Sequence, residues 1–92
     1  MVLFPKRRFI METRVAVIAV IAEDYEAAGQ INAVLHEYGE YIIGRMGLPY
    51  RHKGMYIISV AIDASQDKIN TLAGRIGRIS GVTAKTLYSG KQ

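Results

Sequence analysis

The chain of 92 residues contains no cysteine and no tryptophan, and it has only two prolines and two histidines. Without cysteine it can form no disulfide, no thiolate metal site and no cysteine nucleophile. A chain of this size without disulfides fits a reducing compartment, so the sequence predicts a cytoplasmic protein. No apolar run reaches the roughly 20 residues that a membrane-spanning helix requires, and we therefore expect no membrane association.

The net charge of +4 is concentrated near the amino terminus. Lys6, Arg7 and Arg8 supply three of the positive charges, whereas the nine later Lys and Arg residues face all eight acidic residues. We therefore expect residues 1–12 to form a flexible basic arm and residues 13–90 to form a single domain. Because this domain is nearly neutral, the sequence argues against direct nucleic-acid binding outside the arm.

The first third of the domain has the pattern of a strand followed by a helix. Residues 13–22 are β-branched and apolar without interruption, which predicts a strand that is buried on both faces. Glu23 and Asp24 then provide a helix cap with acidic residues near the positive end of the helix. Apolar residues at spacings of three and four continue to Tyr38 and predict an amphipathic helix.

The remainder of the domain predicts a hairpin, a second helix and a last strand. Strands are predicted over residues 41–50 and 55–63, joined by a turn at 51–54. Pro49 cannot donate a hydrogen bond within a sheet, so the first of these strands is expected at a sheet edge. Ser65 caps the second helix, and residues 82–88 form the fourth strand.

This order of elements, β-α-β-β-α-β with right-handed crossovers, predicts an α+β fold of the ferredoxin-like class. Such a sandwich has a four-stranded antiparallel sheet with two helices on one face, and the other face should be polar. Here the first strand is apolar on both faces, so we expect self-association into a dimer or tetramer through a sheet face or edge. The alternative is that the chain ends, including the arm, fold over the open face. The residues that we expect to form the oligomer face are Val15, Val17, Ile18, Val20 and Ile57.

Candidate ligand-binding residues are few. Arg45 lies between glycines on the predicted edge strand, where a guanidinium can bind a carboxylate or phosphate at a subunit interface or can simply protect the edge from aggregation. Acidic residues cluster where the first strand meets the first helix and can bind a cation, but helix capping explains them more simply. The candidate ligand or interface residues are Glu23, Asp24, Arg45, Tyr50 and Arg51.

The sequence contains no set of nucleophile, base and orienting residue, and no phosphate-binding loop. It therefore predicts no enzyme, no cofactor and no catalytic residue. Because metal sites usually use three or four ligands, His36 and His52 predict no metal site, and a His-based metal sensor is kept only as an alternative. A second alternative is a nucleic-acid accessory protein that acts through the basic arm. Residues 53–60 loosely resemble a strand of the RNA-recognition motif that stacks bases on aromatic side chains. Met55 and Ile57 stand at the positions of those aromatic residues, which argues against RNA binding by this strand.

Three segments resemble the small regulators of iron-only hydrogenase systems. They are residues 36–54 (H-E-Y-G-E-Y-I-I-G-R-M-G-L-P-Y-R-H-K-G), residues 57–59 (I-I-S) and residues 81–86 (G-V-T-A-K-T). The resemblance extends over about residues 14–89. That family is similar to ACT-type regulatory domains and to the C-terminal effector half of the nickel-responsive repressor. The resemblance implies an ACT-like ferredoxin fold, formation of oligomers and a regulatory role.

Two departures narrow what the resemblance implies. Residues 24–27 (D-Y-E-A) stand where amino-acid-binding ACT domains commonly carry Pro-Gly, which argues against amino-acid binding, and the missing cysteine argues against nickel sensing. All residues after Arg14 are used by the sandwich, so we expect no DNA-binding domain of the chain's own. The sequence therefore predicts an oligomeric ACT-like domain for effector binding or protein interaction. Its expected partners are a second copy, an unidentified small-molecule effector and a partner regulator protein.

Overall fold

The computed structural model describes residues 12–90, which follow the predicted order of strands and helices. The elements are β1 (Arg14–Ala22), α1 (Ala28–Glu37), β2 (Ile42–Tyr50), β3 (Met55–Ala64), α2 (Gln66–Gly77) and β4 (Val82–Tyr88). Short 3-10 turns lie at Tyr25–Ala27, Gly39–Tyr41 and Arg51–Lys53. The expected basic arm lies outside the described residues except for Glu12.

The four strands form one antiparallel sheet in the order β2-β3-β1-β4. The two long central strands, β3 and β1, pair along nine residues, from Arg14 opposite Ala64 to Ala22 opposite Tyr56. β2 pairs only with β3, so the predicted edge position of the glycine- and proline-containing strand is confirmed. With two helices on one face, this topology confirms the ferredoxin-like α+β fold.

Both helices cover the same face of the sheet and make the core with it. Alternate residues of β1 and β3 point toward the helices, because successive side chains of a strand point to opposite faces. No polar side chain among residues 12–90 is fully buried, so the core is held by apolar packing alone. Its central residues are Ile18, Val20, Ile31, Leu35, Val60, Ile62, Ile69, Leu72 and Ile76.

Local hydrogen bonds explain where the helices begin. The Asp24 carboxylate accepts the Glu26 N–H at 2.9 Å and caps the turn that leads into α1. The Ser65 hydroxyl accepts the Lys68 N–H at 3.2 Å and caps α2. Both caps were predicted from the sequence, and each satisfies an N–H group that the helix itself leaves without a partner.

A salt bridge joins the two helices above the core. Both terminal nitrogens of Arg75 donate to Glu37, at 2.8 and 3.1 Å, so the contact is bidentate. The hydrogen bond and the positive charge of Arg75 lower the pKa of the Glu37 carboxyl below its usual 4.5. The pair is exposed to solvent, so it orients α1 against α2 more than it stabilises the fold.

Candidate functional site

The face of the sheet opposite the helices is apolar, and no part of residues 12–90 covers it. Eight of the ten exposed large hydrophobic side chains in residues 12–90 lie on it, with exposed fractions from 37% for Ile57 to 73% for Leu87. We call this surface the open face. Its large apolar residues, drawn from all four strands, are Val15, Val17, Ile21, Met46, Leu48, Tyr50, Ile57 and Leu87.

Strand pairing arranges the open face in rows whose charged residue lies on an edge strand. From β2 to β4, the three central rows are Gly44, Ala61, Val17 and Leu87; Met46, Ser59, Ala19 and Lys85; and Leu48, Ile57, Ile21 and Thr83. Ser59 is the only polar residue of these rows on a central strand, since Lys85 and Thr83 belong to the edge strand β4. A mainly apolar centre that lacks charged residues is typical of a protein–protein interface.

A β-bulge in β2 decides which of its residues reach the open face. Ile42 pairs with Ile62 but Gly44 pairs with Ala61, so Ile43 is an extra residue in the strand. A bulge shifts the alternation of the side chains that follow it. The open face therefore receives Met46, Leu48 and Tyr50 instead of Arg45, Gly47 and Pro49.

The predicted oligomer face needs one correction. Val15, Val17 and Ile57 do lie on the open face, but the expectation for Ile18 and Val20 is wrong. These two side chains point to the helix side of the sheet and are 0% exposed in the core. The periodicity of β1 is apolar on both sides, so it does not reveal which side the helices cover.

The predicted ligand residues do not form one site. Arg45 and Tyr50 lie on opposite sides of β2, and Arg51 lies in the hairpin turn. Glu23 and Asp24 follow β1 at the same end of the sheet as that turn, because the Tyr25 N–H donates to the Gly54 carbonyl at 2.9 Å. Arg51 follows Arg45 by six positions, which corresponds to about 20 Å of extended chain. The acidic residues are thus separated from Arg45.

Arg45 instead lines a groove between the end of α1 and the start of β2. The groove has a volume of about 510 Å³, and its polar lining residues are Asn32, His36 and Arg45. Leu35 and Ile42 supply apolar walls. The sequence alone does not link Arg45 with His36 or Asn32, because only the packing of α1 against β2 brings these residues together.

The two histidines lie at opposite ends of β2. His36 is in the last turn of α1, next to the start of β2, whereas His52 is in the turn beyond its end. A strand of nine residues separates them by about 25 Å. Within residues 12–90, no cluster of three or more His, Cys, Asp or Glu residues could hold a metal ion.

Comparison with family models assigns the chain to a protein family. The family model described as "Iron-only hydrogenase system regulator, putative" (TM1266-like) matches residues 14–86. The chain belongs to this family. The matched range includes both central strands and all but the last two residues of β4, so it covers the groove and every large apolar residue of the open face except Leu87.

Solved structures support the assignment and the fold. The uncharacterized protein TM1266 from Thermotoga maritima is 38% identical, with a TM-score of 0.79 over 83% of this chain and 96% of that chain. The ACT domain of GTP pyrophosphokinase from Chlorobium tepidum has a TM-score of 0.71 at 23% identity, over 82% of this chain and 99% of that chain. A formyltetrahydrofolate deformylase from Pseudomonas putida has a TM-score of 0.58 at 15% identity, over 79% of this chain and 28% of its own.

The last two similarities show the fold alone, and the similarity to the ACT domain confirms that the fold is ACT-like. No curated protein sequence matches the chain. Neither helix of residues 12–90 has the length and hydrophobicity needed to span a bilayer.

Proposed function

We propose that this protein is a regulatory, oligomeric ACT-like domain of iron-only hydrogenase systems, which acts by binding a second copy, an effector or a partner regulator rather than by catalysis. Membership of the regulator family and the ACT-like fold support a regulatory role. The single observation that carries self-association is the open face, where large aliphatic side chains of all four strands meet water. Apolar patches of this extent on soluble proteins usually mark interaction surfaces.

The size of the open face suits a second copy of the chain. Four strands spaced about 4.8 Å apart, each about 25 Å long, present about 450–500 Å² in projection. Two such faces packed together bury about 1,000 Å², near the lower limit of specific interfaces. A smaller occupant, such as a single strand or helix, would leave much of the apolar surface in water.

The composition of the open face also favours a second copy. The central strands carry no charged side chain in the three central rows, and Asp63 lies at the far end of β3, so the centres of two identical faces can meet without opposing like charges. Lys85 lies on the edge strand and can stay solvated when the centre is covered. In a two-fold arrangement the same patch serves both protomers, which is the commonest form of homodimer.

Sedimentation velocity at micromolar concentration tests this proposal. We expect the wild-type chain to sediment as a dimer or larger, and the double variant Leu48→Asp/Leu87→Asp to sediment as a monomer. Both leucines lie on edge strands and are at least half exposed, so the charges should spare the core. Thr71→Asp on the exposed side of α2 is the matched control and should leave the oligomer intact.

A further variant that lacks residues 1–11 shows whether a second copy or the amino-terminal residues of the same chain cover the open face. If the amino-terminal residues cover the open face, the wild type is monomeric and the deletion variant associates. A wild type that remains monomeric would refute self-association. Far-UV circular dichroism should show that every variant is folded.

A further inference from the structure

We propose that the groove between α1 and β2 binds a small organic anion, and that Arg45 and His36 hold its carboxylate or phosphate group. The inference rests on the proposed regulatory function and deepens it, since it names the chemistry of the effector. The groove opens on the helix side of the sheet, whereas self-association uses the other side. Ligand and second copy would therefore occupy different surfaces.

The bulge in β2 places Arg45 in the groove. Arg45 pairs with Val60, whose side chain is fully buried under the helices, so Arg45 also points to the helix side. Without the extra residue Ile43, Arg45 would point to the open face. Bulges often occur beside functional sites because they redirect a side chain in this way. The same irregularity thus removes a charge from the open face and supplies one to the groove.

The polar groups of the groove have no partners within the described residues. The side chains of Asn32, His36 and Arg45 make no hydrogen bond or ion pair in residues 12–90. The contrast with Arg75 is direct, because its guanidinium is held in a bidentate contact by Glu37. The planar fork of Arg45 is free to make the same contact with a carboxylate or phosphate from solution.

The charges around the groove favour an anion. No carboxylate lines it, and the nearby Glu37 is engaged by Arg75. The exposed Glu40, in the turn after α1, and the carbonyl end of α1, worth about half a negative charge, oppose an anion. Arg45 lines the groove with a full positive charge, and Glu40 does not line it. Hydrogen bonds from Asn32 and His36 add to the attraction.

The walls of the groove define the rest of the ligand. Leu35 and Ile42 offer apolar contact beside the polar groups. A volume of about 510 Å³ lies within the usual range of small-molecule sites, about 300–1,000 Å³. The ligand class is therefore a compact molecule with one oxyanion group and an apolar part, and inorganic phosphate alone would fill only a fraction of the space.

Two-dimensional amide NMR with phenyl phosphate and benzoate as probes tests the inference. We expect saturable shifts at residues 32–45 with at least one of the probes, and about tenfold weaker binding by Arg45→Gln, which corresponds to the loss of one charge-assisted contact. Benzyl alcohol, which has the apolar part but no charge, should give no saturable shift. The two anionic probes also show whether phosphate or carboxylate is preferred.

Arg51→Gln is the matched control, because Arg51 is an exposed cation of the same hairpin that lies outside the groove. It should bind the preferred probe as the wild type does. Absence of saturable shifts with both anions, or equal weakening by Arg51→Gln and Arg45→Gln, would overturn the inference. Equal weakening would show that the anions respond only to surface charge.

The same titration on the Leu48→Asp/Leu87→Asp variant separates the two proposals. Because the groove and the open face lie on opposite sides of the sheet, this variant should bind the preferred probe with unchanged affinity. If this variant lost binding while the wild type kept it, the claim that the groove binds an anion independently of self-association would be wrong. A monomeric wild type that binds the probe would refute self-association and leave the anion site supported.

Discussion

The two faces of the sheet have similar compositions, but the helices cover only one of them. Val17 and Ile18 are neighbours on β1 with similar side chains, yet Ile18 is fully buried and Val17 is 38% exposed. Ile57 and Ile62 of β3 show the same contrast. One face is buried because α1 and α2 pack against it. The open face has the same aliphatic character, but nothing in residues 12–90 packs against it.

This contrast shows that the sequence specifies more apolar surface than the described fold buries. An open face of an antiparallel sheet is normally marked by polar residues on alternate positions. β1 lacks this alternation, and the bulge in β2 adds Met46 and Leu48 to the same side. This excess of exposed apolar surface supports the proposed self-association.

The largest expected effect is the difference in stability loss between truncating one isoleucine on each face. In the monomeric Leu48→Asp/Leu87→Asp background, Ile62→Ala should lower the free energy of unfolding by about 2–5 kcal/mol, because it leaves a cavity in a closed core. Ile57→Ala should lower it by only about 1 kcal/mol, because part of its surface is already in water. Urea denaturation measures both values. Equal losses would show that the two faces are equally packed within one chain.

The second comparison uses one glycine on each side of β2. A Cβ added at Gly47 would lie 2.6 Å from the hydroxyl oxygen of Tyr56, so Gly47→Ala must displace that ring and should destabilise the fold by about 1 kcal/mol. A Cβ at Gly44 meets no atom within 4 Å, and Gly44→Ala should be neutral or stabilise by up to about 1 kcal/mol. Thermal denaturation and the ring signals of Tyr56 report the difference. If both variants destabilised the fold to the same extent, Gly47 and Gly44 would not lie on opposite sides of β2 as described.

The smallest effect concerns the salt bridge between the helices that cover the closed face. Arg75 lowers the pKa of Glu37 in the folded chain, so the pair stabilises the fold above the usual pKa of a glutamate, and this contribution is lost as the pH falls through the lowered pKa. Glu37→Gln should therefore lower the melting temperature slightly near pH 7 and have no effect in strong acid. A constant difference across the whole pH range would contradict this origin.

Much of the fold could be predicted from local signals in the sequence. The caps at Asp24 and Ser65, the hairpin turn at residues 51–54 and the limits of β4 at residues 82 and 88 were all predicted correctly. Each depends on neighbours within a few positions, where propensity and hydrogen-bond chemistry decide the structure.

The sides of the strands and the groove could not be predicted in the same way. A bulge at Ile43 has no clear local signature, yet it determines the side on which every later residue of β2 lies. The misplacement of Ile18 and Val20 has a related cause, because two equally apolar sides of β1 do not indicate where the helices pack. The groove depends on how α1 lies against β2, which joins Asn32 and Arg45 across two elements.

The most direct test of the central claim is an isotope-filtered nuclear Overhauser experiment on a mixed sample of labelled and unlabelled chains. Contacts between chains can then be assigned to individual methyl groups. We predict intermolecular contacts among the methyl groups of Val17, Leu48, Ile57 and Leu87, and none from the core residues Ile18 and Ile62. Intermolecular contacts confined to other surfaces, or none at all, would contradict the claim that a second copy covers the open face.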